Sequence, residues 1–350
     1  MRRLDPPHRA RLVDVAQRAG CSSAAVSCVL TGSGAGQIRV GPQKAELIRR
    51  AAADLNFRPN HAAQQLKGKQ SLVLGILSRN WETTFQLRTF YWLQQAAAAQ
   101  GYHILAAQCR SAAEVAATAD EFLARGIDGA MCFGHDTDAP DAECCAALAR
   151  FPHLVSLFGR VDVSGSVCLR VCEASGIAQA VEHLHQSGRR RMTLIVLPEG
   201  PGMEQRRKGF LAAHRRLGLK VRAEQIQTVE MFDWIWQQAD LAERVDAWIE
   251  RVVLGGGADA VIAQDDFRAA FLIQGLARRG LRVPQDVAVI GYENDLISHH
   301  LTPPLSTVHI PVREVAVAAV QMLVAAAASP SAAALKSKTF KPRLMVRGSG

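Results

Sequence analysis

The chain has 350 residues, of which 49% are hydrophobic, and a formal net charge of +9. That much apolar material suits two or three packed domains, and the absence of any run of about twenty uninterrupted apolar residues argues against a membrane-spanning helix. The opening MRRLDPPHRARL lacks the apolar stretch of a secretion signal, and the eight cysteines are scattered through apolar segments rather than set out as a disulfide framework. These features lead to the expectation of a cytoplasmic protein with no membrane partner.

The charge is unevenly placed. Residues 1–69 carry twelve Lys and Arg against four acids, which leaves 29 basic and 28 acidic residues over the rest. A solvated charged face is the ordinary origin of such a bias, whereas a compact basic module on a neutral body is what a polyanion partner selects.

In chain order, RLVDVAQRAG places Leu12, Val15, Ala16 and Ala19 at helical spacing and breaks at Gly20. Ser22 is placed to cap a second helix whose inner face is Ala25, Val26, Val29 and Leu30. Two short helices across a tight glycine turn form a helix-turn-helix unit. A third helix is expected from Pro42 to Leu55, packing Ile48, Ala51, Ala52 and Leu55. From Leu72 onward the apolar runs LVLGIL, YHILAAQ, DGAMCF, HLVSLF, MTLIVL, DAVIAQ and VAVIGY alternate with longer helical stretches, the pattern of parallel sheets with crossover helices. The fold class expected is α/β behind a helix-turn-helix headpiece.

The order and spacing of DVAQRAG, AVS, AAADLNFRPNHAAQQLKGKQS running into LVLGIL, AVEHLHQSGRRRMTLI, RRKGFLAAH, GLRVPQDVAVIGYEN and LTPPLSTV make the whole chain resemble the lactose-repressor (LacI/GalR) family of transcription regulators. The resemblance implies a headpiece at 10–58 and a hinge helix and linker at 59–70. It further implies a periplasmic-binding-protein-like core of two doubly wound α/β subdomains, 71–187 with 310–338 and 188–309 with 339–348. It implies operator DNA, a sugar-like effector and a second copy of the chain as partners. The family's base-reading positions fall on Ser23, Ala24 and Cys28, with Ser22 and Ser27 beside them. Many relatives have Arg at the last of these, able to grip guanine, which a thiol cannot do. Two accounts stay open: readout through thymine methyls, hydroxyls and DNA shape, or a headpiece whose specificity has partly decayed. In the hinge, Asn60 begins the helix, Ala63 lies on its close-packed face and Leu66 is the apolar wedge that kinks the duplex from the minor groove.

For the effector, the resemblance points to Arg206 as the grip on ligand hydroxyls or a carboxylate. Asp265 and Glu293 follow strands at positions where acids or amides meet ligand, and Gln264 and Ser175 stand where relatives often have Asn, or Asp or Asn. Arg79, Trp81 and Phe85 follow the first core strand, and Phe232 is a candidate aromatic platform. Arg79 and Arg206 together raise the alternative of an acidic or phosphorylated sugar. Whether the effector induces or co-represses stays open, and without a leucine-heptad tail the expected assembly is a dimer.

No cofactor, metal or catalytic group is expected. Cys168 and Cys172 with His183 and His185 lack the knuckle of a zinc site. Ser156, His153 and Asp162 have no nucleophile elbow, and GGGADAVI at 255–262 precedes its strand, the wrong order for a phosphate cradle. The competing reading is a solute-binding or enzymatic α/β protein with a vestigial headpiece.

Overall fold

The computed structural model describes residues 10–32, 38–58, 70–79, 81, 83–133, 142–159, 161, 163–198, 201–228, 241–328 and 336–350. Two compact units divide the chain at Ser71.

The first unit is three helices, α1 (Leu12–Ala19), α2 (Ser23–Thr31) and α3 (Pro42–Asp54). Gly20 ends α1 in the left-handed region at φ 60°, where a side chain would be strained, and turns the chain into α2. Ser22 Oγ accepts the Ala25 amide at 3.2 Å and so caps α2. Pro42 opens α3, where its missing N–H costs nothing. Val15, Ala16, Val26, Ile48, Ala51 and Ala52 form the buried core, with Leu12, Ala19, Ala25, Val29, Leu30 and Leu55 packed around it. The helical periodicity therefore marked the packing residues of all three helices. Lys44 Nζ on α3 donates to Gly20 O at 2.9 Å and pins the turn.

The second unit has two six-stranded sheets. The first sheet takes β1 (Val73–Ser78), β2 (His103–Gln108), β3 (Gly129–Phe133), β4 (Leu154–Leu157), β5 (Val167–Val171) and a late strand, β11 (Lys338–Phe340), in the order β11-β5-β4-β3-β1-β2. All its pairings are parallel. Its crossovers include α4 (Thr84–Ala99), α5 (Ala112–Ala124) and α6 (Ala142–Leu148). The second sheet takes β6 (Met192–Val196), β7 (Ile226–Thr228), β8 (Ala260–Ile262), β9 (Ala288–Glu293), β10 (Ser306–His309) and β12 (Arg343–Met345), in the order β12-β10-β9-β8-β6-β7. Only β12 runs antiparallel there. Helices α7 (Glu173–Gln186), α8 (Pro201–Arg216), α9 (Leu241–Ile249), α10 (Asp266–Arg278), α11 (Ile297–His300) and α12 (Val312–Ala328) complete the unit.

The chain passes between the sheets three times: after β5, after β10 and between β11 and β12. The last passage departs from the expected division, which gave 339–348 to the second lobe. Thr339 and Phe340 instead pair with Arg170 and Val171 of β5, because Phe340 is an apolar plug buried in the core beside that strand. The second sheet begins its last strand at Arg343.

Candidate ligand cleft and DNA-contacting helix

Glycine sets the closest helix contact in the cleft. A Cβ on Gly209 of α8 would sit 2.5 Å from Ala174 O and 2.6 Å from Ala174 Cα, so only glycine lets α8 press against the first turn of α7. One turn earlier on α8, Arg206 reaches Glu173, the first residue of α7. Its Nε donates to Glu173 Oε2 at 2.8 Å and its Nη1 to the Gln264 carbonyl at 2.6 Å. The guanidinium lies over the Tyr292 ring, 3.5 Å from its centroid. Burial works against the charge of Arg206, but Glu173 and the neighbouring groups more than offset it and raise its pKa. The Tyr292 hydroxyl is held far above its usual pKa by burial and then by the Glu173 charge. A neutral ring thus carries a permanent cation whose carboxylate partner belongs to the protein.

Beyond the carboxyl ends of β8 and β9 lie three more acids. Asp265 Oδ1 accepts the Arg268 amide at 2.7 Å, capping α10, while its second oxygen pairs with the Arg268 guanidinium. Asp266 is buried, accepting Thr307 Oγ1 at 2.5 Å and the Asp295 amide at 2.6 Å. Burial pushes its pKa up to about 7, those two hydrogen bonds pulling the other way. Gly291 makes room for this carboxylate, since a Cβ there would lie 2.2 Å from Asp266 Oδ1. Glu293 is half-buried at φ 100°, followed by Asn294 at φ 54°, a left-handed pair without a glycine. Such backbone costs on the order of 1–3 kcal/mol per residue and persists where surroundings impose it. Here Arg88 of α4 imposes it, donating to Glu293 O at 2.9 Å and Asn294 O at 3.0 Å. Burial, then the Asp265 charge, lifts the Glu293 pKa well above the carboxylate range, with Arg88 and Arg206 acting in the opposite direction.

The Arg88 bonds join the first turns after β1 to the end of β9, so the carboxyl ends of the two sheets face each other. The first lobe carries an aromatic cluster after β1. Trp81 packs its ring 5.3 Å from Phe90 and 6.0 Å from Phe133, and Phe85 lies 4.7 Å from Phe158, which stacks on Phe133 at 6.1 Å. Buried polar atoms in and beside the cleft make no hydrogen bond: Gln86 Oε1, Ser175 Oγ and Gln264 Oε1. Open buried acceptors of this kind mark places where a ligand or water is needed.

Of the expected effector residues, Arg206, Gln264, Asp265 and Glu293 converge around the ends of β8 and β9, and Trp81 and Phe85 join the aromatic cluster. Ser175 opens α7 two residues after Glu173. Arg79 is exposed after β1, where its carbonyl accepts Gln108 Nε2 at 3.2 Å. Phe232 lies outside the described residues, as do Asn60, Ala63 and Leu66 of the hinge. Glu173, Tyr292, Arg88, Asp266, Phe133 and Phe158 escaped the sequence reading. Ser156 is fully buried, donating to Gly159 O at 2.6 Å, which leaves it no nucleophile's access.

On α2, Ser22, Ser23 and Ala24 are exposed, while Ser27 and Cys28 are half-buried. Ser27 Oγ meets Thr31 Oγ1 at 3.3 Å, and Cys28 Sγ donates to the Ile38 carbonyl at 3.5 Å. The thiol is thus engaged with the approach to α3.

The chain thus joins a helix-turn-helix unit to a two-sheet α/β unit of periplasmic-binding-protein-like form. The Periplasmic binding protein-like domain profile matches residues 181–350. The HTH-type transcriptional regulator CelR of Thermobifida fusca is 27% identical over 370 residues, covering 99% of this chain and 100% of the relative. Among solved structures, a CelR–cellobiose complex superposes with a TM-score of 0.69 at 21% identity, over 98% of this chain and 100% of that one. The lac repressor dimer bound to operator and the anti-inducer ONPF gives a TM-score of 0.77 at 22% identity, over 97% of this chain and 99% of that one. Over its whole length the chain is thus similar to HTH-type transcriptional regulators, and its C-terminal half matches the periplasmic-binding-protein-like domain.

Proposed function

We propose that the protein is an effector-controlled transcriptional repressor: a homodimer that binds a pseudo-palindromic operator and changes its grip when a small sugar-like molecule enters the cleft. The observation that carries this reading is the junction, in one chain, of a helix-turn-helix unit with Ser23 and Ala24 exposed on its second helix and a cleft lined by Arg206, Glu293 and an aromatic cluster. The solved relatives support it: one is bound to an operator and an anti-inducer, the other to cellobiose.

Lys and Arg side chains of the headpiece hold phosphates, which gives an affinity that falls with salt. Ser23 and Ala24 meet base edges, and Leu66 wedges the central step from the minor groove, in a hinge spanning 59–70. Closure of the two lobes about the ligand changes the separation of the two hinges, and with it the folding of the hinge helices on DNA. The site of action is the cytoplasm. Selection of genomic fragments by the full chain, followed by titration of the recovered fragment, tests this directly. A chain lacking residues 1–70 must lose DNA binding while keeping its response to ligand; DNA binding that survives the deletion overturns the assignment.

A further inference from the structure

The cleft spends its cations internally. Arg206 is engaged by Glu173 and the Gln264 carbonyl, Arg268 by Asp265, and Arg88 by the backbone carbonyls of Glu293 and Asn294. Four carboxylates, those of Glu173, Asp265, Asp266 and Glu293, gather around these three guanidiniums. Glu173, Asp265 and Asp266 have partners, whereas Glu293 receives no hydrogen bond or ion pair on its carboxylate from any described residue. Beside it, the Gln264 side chain is more than nine-tenths buried and its Oε1 is left without a donor. Acceptors are thus among the groups that the second lobe leaves open.

On the first-lobe side lies an aromatic cluster in which Trp81 and Phe158 are partly exposed and rest on the buried Phe85 and Phe133. Aromatic faces attract cations and pack the C–H face of a ring. An anionic ligand gains little here: the aromatic side offers it no partner, and the charge of Arg206 is already neutralised by Glu173. An ammonium-bearing polyol gains from both sides: its cation draws Glu293 into the ionised form that burial alone disfavours and pairs with it, while its apolar face stacks on the aromatics.

We infer that the effector is an amino sugar or related amine-bearing polyol, bound with its ammonium on the Glu293 carboxylate, and that Glu173 closes Arg206 to acidic ligands. This rests on the reading of the cleft as an effector site. It replaces the acidic or phosphorylated sugar that Arg79 and Arg206 suggested from sequence.

The test uses the full chain in thermal-shift and calorimetric titrations against glucosamine, galactosamine and mannosamine, each beside its neutral parent hexose, with glucuronate and glucose 6-phosphate as anions. At least one amine is expected to bind at least tenfold more tightly than its parent, and E293Q to abolish that preference while keeping the melting temperature of the free protein. E173Q is expected to admit glucuronate. Binding of a neutral parent as tightly as its amine, binding of the anions to the unaltered chain, an amine preference that survives E293Q, or no binding by any of the three amines would overturn the inference. Operator binding measured on the same preparations separates this failure from failure of the regulatory reading, because a protein that binds DNA but ignores the amines remains a regulator with a different effector.

Discussion

Arg206 and Glu173 are held together across 33 residues of sequence, at 2.8 Å, with side chains only 6% and 10% exposed. At that depth each group is tolerable because the other is present. Removing one strands the other, which costs about 3–5 kcal/mol when a buried pair is broken from one side. R206A and E173A are both expected to lower thermal stability by an amount in this range, measured by chemical denaturation. The double variant E173A/R206A is expected to recover part of the loss. Additive losses would show that the two groups act separately.

Gly209 sets the spacing that makes this pair possible. G209A places a methyl 2.5 Å from the Ala174 carbonyl, a contact that backbone must relieve by moving α8 from α7. Overpacking of this kind costs about 1–3 kcal/mol. Denaturant titration should show a loss of that size, accompanied by weaker ligand binding as Arg206 shifts. A silent G209A would mean that the helices have slack.

Asp266 gives the core a pH response. Its folded pKa of about 7 lies above the ordinary aspartate value of 3.8. The protonated form is therefore the one that the fold favours: the contribution is complete below about pH 4 and is lost as pH rises to about 7, after which it stays lost. A shift of this size corresponds to on the order of 4 kcal/mol. D266N is expected to flatten the stability curve between pH 4 and 7, while retaining an acceptor for Thr307 or the Asp295 amide. An unchanged slope in D266N would assign the pH dependence elsewhere.

In the headpiece, I48A removes a fully buried side chain from the small core of three helices. Such truncations cost about 2–5 kcal/mol. A unit this small has little to spare, so the variant is expected to lose operator binding while the second unit keeps its melting transition and its ligand response. S22A should be milder, about 1 kcal/mol, from loss of the cap on Ala25.

Cys28 provides the test of how α2 docks. C28R gives up the contact with the Ile38 carbonyl and offers a guanidinium at a position where many relatives read guanine. Selection from a randomised operator library should then show a new guanine preference at one half-site position. An unchanged motif would argue that α2 does not enter the groove through this face.

Much of this was legible in the sequence because helical and strand periods are local. Val15, Val26 and Ile48 announced themselves by spacing, and the strand runs by continuous apolar composition. Arg206 and Glu293 were reachable through the motifs around them. Glu173 was not, since its role depends on Gly209 letting two helices touch. Asp265 and Asp266 are adjacent, and sequence does not say that the first would turn to cap α10 while the second would be buried under Gly291. Arg88 escaped for a similar reason: it reads as one more polar position on α4, and its carbonyl partners lie more than 200 residues downstream.

The most direct test of the account is an anisotropy titration of a selected genomic operator fragment with the full chain, repeated with a ligand that stabilises the protein in thermal-shift experiments and again with R206A. The account predicts salt-sensitive operator binding whose affinity changes at least tenfold with the ligand in the unaltered chain and does not change in R206A. Operator affinity indifferent to a ligand that demonstrably fills the cleft would contradict it.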